Sequence, residues 1–377
     1  MNIAVNTRLL LPNKLEGIGW FTYESFKRIT RQHPEHRFIF LFDRKYDEQF
    51  VFGSNVIPLV VHPQARHPLL WYLFFEYGVA AALKKNKADL FISPDGWLSL
   101  RTGTSSMAVI HDLNFFHFPE FIPWHVRQYY NYYFPRFINK ADRIATVSAF
   151  TKKDIIYRFG YDAGKIDVVY NGANEEYKPL VPADQQQVRE KYTQGKPYFL
   201  FVGLIHPRKN LANVMRAFDA FRQVKSSDMK LLVVGSKKWW DRDHEKALRE
   251  AGYNNDIIFA GRMEIDELKG VMASAFALVY PSWFEGFGIP VLEAMYCDVP
   301  VITSGTSSMP EVGGEAALYA DPASVESIKN AMLQLYSDDK LRNNLIVKAR
   351  DQRLKFSWDM TAEKLWESIE RCLEGIV

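Results

Sequence analysis

Cysteine is scarce: Cys297 and Cys372 are the only two in 377 residues. That excludes a disulfide framework, offers no metal-ligand spacing, and fits a reducing cytoplasm. Net charge is scarce as well. The chain has 47 Lys and Arg against 44 Asp and Glu, a formal charge of +3. For this length, bulk charge does not suggest a nucleic-acid partner. Long apolar runs are missing. The longest, LLWYLFFEYGVAAAL (69–83), has 15 residues and contains Glu76, so it is too short and too interrupted to span a bilayer. The opening MNIAVNT reads directly as a strand, with no signal peptide ahead of it. There is no internal repeat or low-complexity tract.

What is present is a globular composition, 47% hydrophobic and 24% charged. The length predicts two domains of roughly 150 to 200 residues each. Short apolar runs alternate with amphipathic stretches, twice over. NIAV, RFIFLF, VIPLVV, ADLFIS, MAVIH, RIATVS and IDVVYN form the first series of candidate strands. PYFLFVG, KLLVVG, DIIFAG, FALVY, PVIT and ALYA form the second. Nearly continuous apolar strands separated by helical patterns imply parallel sheets covered on both faces. The fold class is therefore α/β, with two doubly wound domains. The polar segment NGANEEYKPLVPADQQQ (171–187) reads as the linker between them. Ligands of open parallel sheets bind outside the carboxyl ends of the strands, so two such domains facing each other would form one cleft.

The stretch PSWFEGFGIPVLEAM (281–295) follows the apolar run FALVY. Gly286 and Gly288 permit positive φ or close approach by a ligand. Pro290 suits a helix start. Glu285 thus falls on a strand-to-helix loop and Glu293 within about one turn of the helix start. Unpaired backbone amides and the positive dipole end share that space. Such a pocket suits a ligand with anionic and hydroxyl parts. The plainer reading makes Glu293 a dipole partner and Glu285 a solvated loop residue.

Other polar features also follow strands. Gly17 and Gly19 open a helical stretch and could let amides approach a phosphate, or simply form a turn. VIHDLNFFH puts His111 and Asp112 at a strand end, where a histidine can bond a sugar hydroxyl, shuttle a proton or serve structure alone. FVGLIHPRKNL ends a strand at Gly203. It then presents His206, Arg208 and Lys209 before a helix that Asn210 could cap. Two adjacent cations there suit a diphosphate clamp, against a solvated basic loop. Asp241 and Asp243 have a D-x-D spacing able to hold a divalent metal, but the polar helical surroundings favour a solvated face. HVRQYYNYYFPRF (125–137) reads as core packing, or as a membrane-surface or acceptor-binding face. Trp71, Tyr72, Phe74 and Phe75 could join such a face.

Taken together these motifs resemble the family-4 glycosyltransferases. PSWFEGFGIPVLEAM resembles their E-x7-E signature and FVGLIHPRKNL their G-x-x-x-x-R-K-N element. VSAFTKKDI, VVYNGANEEYKP and SSMPEVGGEAALYADP resemble further ordered segments, densest from about residue 105 to 325. The resemblance implies a GT-B fold with two Rossmann-like domains across a cleft. These would span 1–178 and 190–356, with a last helix, 357–377, crossing back onto the first. It implies a retaining enzyme that moves a hexose from a nucleotide-diphosphate sugar. His111, Arg208, Lys209 and Glu285 would be catalytic. Arg208 and Lys209 would bind the diphosphate, Glu285 the donor-sugar hydroxyls, and His111 the sugar from the first domain. Gly17, Gly19, Gly203, Gly286, Phe287, Gly288, Ile289 and Glu293 would bind the donor, with Glu293 on the ribose. No metal and no cofactor are expected beyond the nucleotide sugar as substrate.

Within the family, VIHDLNFFHFPE and SSMPEVGG look most like mannosyltransferases of surface-polysaccharide pathways. The donor leans to GDP-mannose, with UDP-sugars open. The acceptor would be a glycan or a lipid-linked one, and the setting cytoplasmic, with peripheral membrane contact on that face. The chief alternative is a nucleotide-sugar epimerase or hydrolase on the same architecture. A carbohydrate-binding module would leave the charged set without use. A glycosidase using Glu285 and Glu293 would leave the diphosphate clamp without purpose.

Overall fold

The computed structural model describes residues 1–12 and 14–375. The chain divides into two units, Met1–Gly172 with Ser357–Val377, and Ala173–Phe356. Residues 173–178, assigned to the first domain from sequence, fall in the second unit.

Among the described residues, the first unit carries a seven-stranded sheet. Its strands are β1 (Asn2–Asn6), β2 (Arg37–Phe42), β3 (Val56–Val60), β4 (Leu90–Ser93), β5 (Ser105–Ile110), β6 (Arg143–Thr146) and β7 (Ile166–Val168). Their order is β3-β2-β1-β4-β5-β6-β7, and every pairing is parallel. The second unit carries six strands: β8 (Tyr198–Val202), β9 (Lys230–Val234), β10 (Ile257–Gly261), β11 (Ala277–Tyr280), β12 (Val301–Ser304) and β13 (Ala317–Ala320). They run β10-β9-β8-β11-β12-β13, again all parallel. Each predicted strand is present. The unbroken apolar runs explain why: Phe199, Leu200 and Phe201 are all fully buried, which requires cover on both faces of the sheet.

Strand order reverses direction between β1 and β4, and between β8 and β11. Crossover connections leave toward opposite faces at such a point, opening a crevice at the strand ends. Each unit therefore has one place where polar side chains can gather around a ligand.

Part of the expected linker is helix, Pro182–Thr193. Its proline sits in the first turn, and Gln, Arg, Glu and Lys are good helix formers. With so little apolar surface, it carries no periodic signature in the sequence. The final helix, Trp358–Glu374, packs in the first unit. Arg371 and Ser368 bond Asp167 at 2.6 Å each, and Thr361 donates to the Tyr170 carbonyl at 2.6 Å. In the 69–83 run, Phe74 and Phe75 are fully buried, and Glu76 accepts from the Leu100 and Arg101 amides at 3.0 and 3.1 Å. Those amides are what allow a carboxylate inside that helix.

Candidate active site

In the second unit the site begins where β8 ends. Gly203 has φ +136°, a conformation that favours glycine. The following turn, Pro207–Lys209, brings Arg208 and Lys209 beside the loop after β11. Asn210 does not cap the next helix. It adopts φ +66°, and its side-chain amide donates to the Pro281 and Pro322 carbonyls at 3.0 and 2.8 Å. It thereby ties the basic turn to the glutamate loop.

Glu285 is buried and lies at the centre. Its Oε1 is 2.5 Å from Lys209 Nζ and 3.0 Å from the Tyr280 hydroxyl, and its Oε2 is 3.0 Å from Arg208 Nη1. Lys209 Nζ also reaches the Tyr280 hydroxyl at 2.5 Å, and Arg208 donates to the Phe284 carbonyl. Burial would raise the Glu285 carboxyl, but Arg208 and Lys209 outweigh it and pull it down to about 2. Beside them, burial and the same two cations depress His206 to about 4, so His206 is neutral. Its Nδ1 accepts the Arg208 amide at 3.1 Å, which makes it a turn-former.

The loop from Glu285 to the helix Ile289–Tyr296 is fixed by serines. The Glu285 amide donates to Ser307 Oγ at 3.0 Å, and Ser308 Oγ lies 2.9 Å from the carbonyls of Glu285 and Phe287. Gly288 has positive φ, +108°, and a Cβ there would stand 2.3 Å from Met309 Cε. Phe287 is buried against Phe356 and supports the loop by packing. Ile289 starts the helix, so the loop's amides converge at its positive end.

Glu293 lies one turn into that helix. Burial pushes its carboxyl up to about 7, and a hydrogen bond from Tyr177 offsets only part of this. The thiol of Cys297, also buried, faces the same carboxyl. Tyr177 and Tyr280 were not anticipated. Both are buried tyrosines whose hydroxyls need polar partners, and each finds one on a signature glutamate.

In the first unit, His111 follows β5. Its Nε2 is 2.8 Å from the Pro94 carbonyl. A carbonyl only accepts, so Nε2 carries the proton. Burial lowers the ring's pKa against the pull of Pro94, Asp112 and Asp95. The imidazole is therefore neutral, with Nδ1 as an acceptor. That favours bonding a hydroxyl over shuttling a proton. His111 lines a cavity of about 160 Å³ with Asp95, Trp97, Asp112, Asn114 and Tyr130. Gly17 and Gly19 open the helix Gly17–Gln32 with negative φ. A Cβ on Gly19 would lie 3.0 Å from the Leu9 carbonyl oxygen, so close packing accounts for that glycine.

Over 298 residues the chain is 32% identical to O-antigen chain mannosyltransferase B of Escherichia coli, covering 78% of each. The family models described as glycosyltransferase family 4 and glycosyl transferases group 1 match residues 16–177 and 184–352. The chain belongs to the family-4 glycosyltransferases. This glycosyltransferase is also 28% identical to the O-antigen chain mannosyltransferase RfbU of Salmonella typhimurium over 76% of this chain and 77% of that one. Its fold is that of Anabaena HepE solved with UDP and glucose: TM-score 0.76 at 16% identity, covering 98% of this chain and 100% of that one. It is GT-B, with two Rossmann-like sheets.

The aspartates of the D-x-D are committed elsewhere in this glycosyltransferase. Asp241 caps the helix Arg242–Glu250 by accepting from the Asp243 and His244 amides, and Asp243 pairs with Arg216. Among the described residues no group of three or more His, Cys, Asp or Glu is placed to hold a metal ion.

Proposed function

We propose that this glycosyltransferase moves mannose from GDP-mannose to a glycan or lipid-linked acceptor of surface polysaccharide, with retention at the anomeric carbon. The observation that carries this reading is the Arg208–Lys209–Glu285 cluster at the start of a helix. Two cations and a ring of amides suit a departing diphosphate, whose charge grows in the transition state. Glu285 holds both cations in place until the phosphates arrive, and its carboxylate accepts hydroxyls of the donor sugar. Glu293 accepts the ribose. The names of the O-antigen mannosyltransferase relatives support mannose, and HepE with UDP supports a nucleotide diphosphate. Incubation with GDP-mannose, with and without acceptor, tests the reading. Hexosylated acceptor is expected. An epimer or free sugar as the sole product, formed equally without acceptor, would favour the epimerase or hydrolase alternative.

The reaction is proposed to need no metal, because Arg208 and Lys209 supply the positive charge. Full turnover is expected after exhaustive chelation. A loss restored by Mn²⁺ or Mg²⁺ would refute this.

Glu293→Gln should separate binding from stability. Its native carboxyl, at about 7, lies above the ordinary 4.5. Between those values the native state binds the extra proton, so stability falls as pH rises through the window. Above pH 7 the ionised group costs at most about 3 kcal/mol. Glu293→Gln is therefore expected to be more stable than wild type at pH 8, with no difference below about pH 4.5. Donor affinity should fall by about 1–3 kcal/mol as the charge-assisted bond to ribose is lost. In wild type that affinity should weaken from pH 8 to pH 6. Denaturant titrations at several pH values and donor calorimetry measure both effects.

Peripheral contact with anionic lipid is proposed for the helix Trp124–Lys140. Its inner side, Tyr129, Phe134, Phe137 and Ile138, is core. Trp124 (69% exposed), Gln128, Tyr132 (53%) and Arg136 form an outward stripe at four-residue spacing, with Arg136 over the Tyr132 ring at 3.7 Å. Phe74 and Phe75 do not join it, since they are buried in the core, and Trp71 and Tyr72 pack part-buried against that core. Among the described residues no helix is long and apolar enough to cross a membrane. Flotation with anionic liposomes at low salt should carry the protein upward, and Trp124→Ala with Arg136→Ala should abolish this. Wild type remaining at the bottom would remove the proposal.

A further inference from the structure

Tyr280 is the last residue of β11 and is 1% exposed. A phenylalanine would fill that space as well, and burying a hydroxyl costs free energy unless it is bonded. This hydroxyl is bonded twice, and both partners belong to the charged cluster. It lies 3.0 Å from Glu285 Oε1 and 2.5 Å from Lys209 Nζ. The direction of each bond follows from the proton count, since an ammonium only donates and a carboxylate only accepts. The hydroxyl therefore accepts from Lys209 and gives its single proton to Glu285. Burial, and the Glu285 carboxylate beside it, keep that proton in place by raising the hydroxyl well above the ordinary tyrosine value.

The tyrosine is anchored on rigid structure. It pairs with Thr303 of β12 in the sheet register, and its carbonyl accepts from Thr303 Oγ1 at 3.0 Å and from the Ser282 amide at 2.9 Å. Phe201 of β8 packs against its ring, the centroids 6.4 Å apart. Lys209 instead reaches the cluster on a flexible four-carbon stem, and Glu285 stands on the loop that leads into the helix Ile289–Tyr296. Glu285 Oε1 takes both Lys209 and Tyr280, while Oε2 takes Arg208. Once a donor hydroxyl draws on Glu285, the tie from that carboxylate to Lys209 slackens. The Tyr280 hydroxyl, fixed at the sheet edge and buried, is a tie for which the sugar does not compete. We infer that Tyr280 is a positioning residue for hexosyl transfer: its hydroxyl keeps Lys209 set for the leaving diphosphate while Glu285 engages the sugar. The tyrosine acts through Lys209. This rests on the proposed Arg208–Lys209 clamp and adds to it the residue that sets its geometry.

Tyr280→Phe removes the hydroxyl and keeps the ring, and Lys209 and Glu285 retain each other as partners. Single-turnover transfer from saturating GDP-mannose is measured for wild type, Tyr280→Phe, Lys209→Ala and the double variant. GDP affinity is followed by calorimetry and melting by circular dichroism. Tyr280→Phe should slow transfer about 10-fold, the size of one bond to a charged group. GDP affinity should stay within about 3-fold of wild type, because a misplaced cation hurts the transition state more than the ground state. In the Lys209→Ala background the same change should add less than about 2-fold, since residues acting as one unit are not additive. A purely structural tyrosine would slow both backgrounds alike, in step with lost stability. A wild-type rate in folded Tyr280→Phe, or an equal loss in both backgrounds, overturns the inference while a slow Lys209→Ala keeps the clamp. A wild-type rate in Lys209→Ala overturns the clamp itself, and this inference with it.

Discussion

Arg208→Ala and Lys209→Ala are each expected to slow hexosyl transfer by about 10²–10³, or about 3–4 kcal/mol in the barrier. The reason lies in when the charge appears. Ground-state phosphates already carry charge, but the bridging oxygen gains more as the bond to the sugar breaks. A cation fixed beforehand beside that oxygen therefore helps the transition state more than the bound donor. Fixation is visible in the structure. Lys209 Nζ is held between Glu285 and the Tyr280 hydroxyl, and Arg208 between Glu285 and the Phe284 carbonyl. Turnover at saturating donor should fall, with donor affinity less affected. Single-turnover rates with circular dichroism on each variant provide the check. Near-normal rates in both folded variants would place the chemistry elsewhere.

Glu285→Gln is expected to lower turnover more than donor affinity, and also to destabilise the second unit. The carboxyl sits at about 2 in the folded chain against an ordinary 4.5. A depressed carboxyl contributes stability above the unfolded value, and that contribution is lost as pH falls through the folded one. At pH 7 it amounts to at most about 3 kcal/mol. Glutamine keeps the shape but leaves two partly buried cations without their counter-charge. The difference in unfolding free energy should be largest near neutrality and shrink from about pH 4.5 toward pH 2. Glu293→Gln should move stability the opposite way at pH 8. Two glutamates of one motif thus give effects of opposite sign because one is ion-paired and the other is not. Equal stability of Glu285→Gln and wild type at pH 7 would contradict the ion-paired arrangement.

The strands were legible because both sheets are parallel and covered, which leaves short unbroken apolar runs such as RFIFLF and KLLVVG. The helix Pro182–Thr193 was not, since a helix with almost no apolar stripe has no 3.6-residue pattern to read. Gly288, Pro290 and Glu293 mark a helix start in any sequence. That Glu285 meets Lys209 is a contact across 76 residues, and neither residue type announces its partner. Tyr280 hid at the end of an apolar strand and Tyr177 in a segment taken for linker. The usable clue was chemical: a tyrosine beside a buried carboxylate needs a partner for its hydroxyl. His111 was legible as a strand-end histidine, but its tautomer depends on the Pro94 carbonyl, which only the fold brings near.

The central claim is group transfer from a nucleotide sugar, and the most direct measurement is mass analysis of an acceptor glycan incubated with GDP-mannose and the protein. Wild type should add a hexose to the acceptor and release GDP in equal amount. The Arg208→Ala, Lys209→Ala double variant should produce neither product above background. GDP release with no change in acceptor mass, or hexosylation that persists in the double variant, would contradict it.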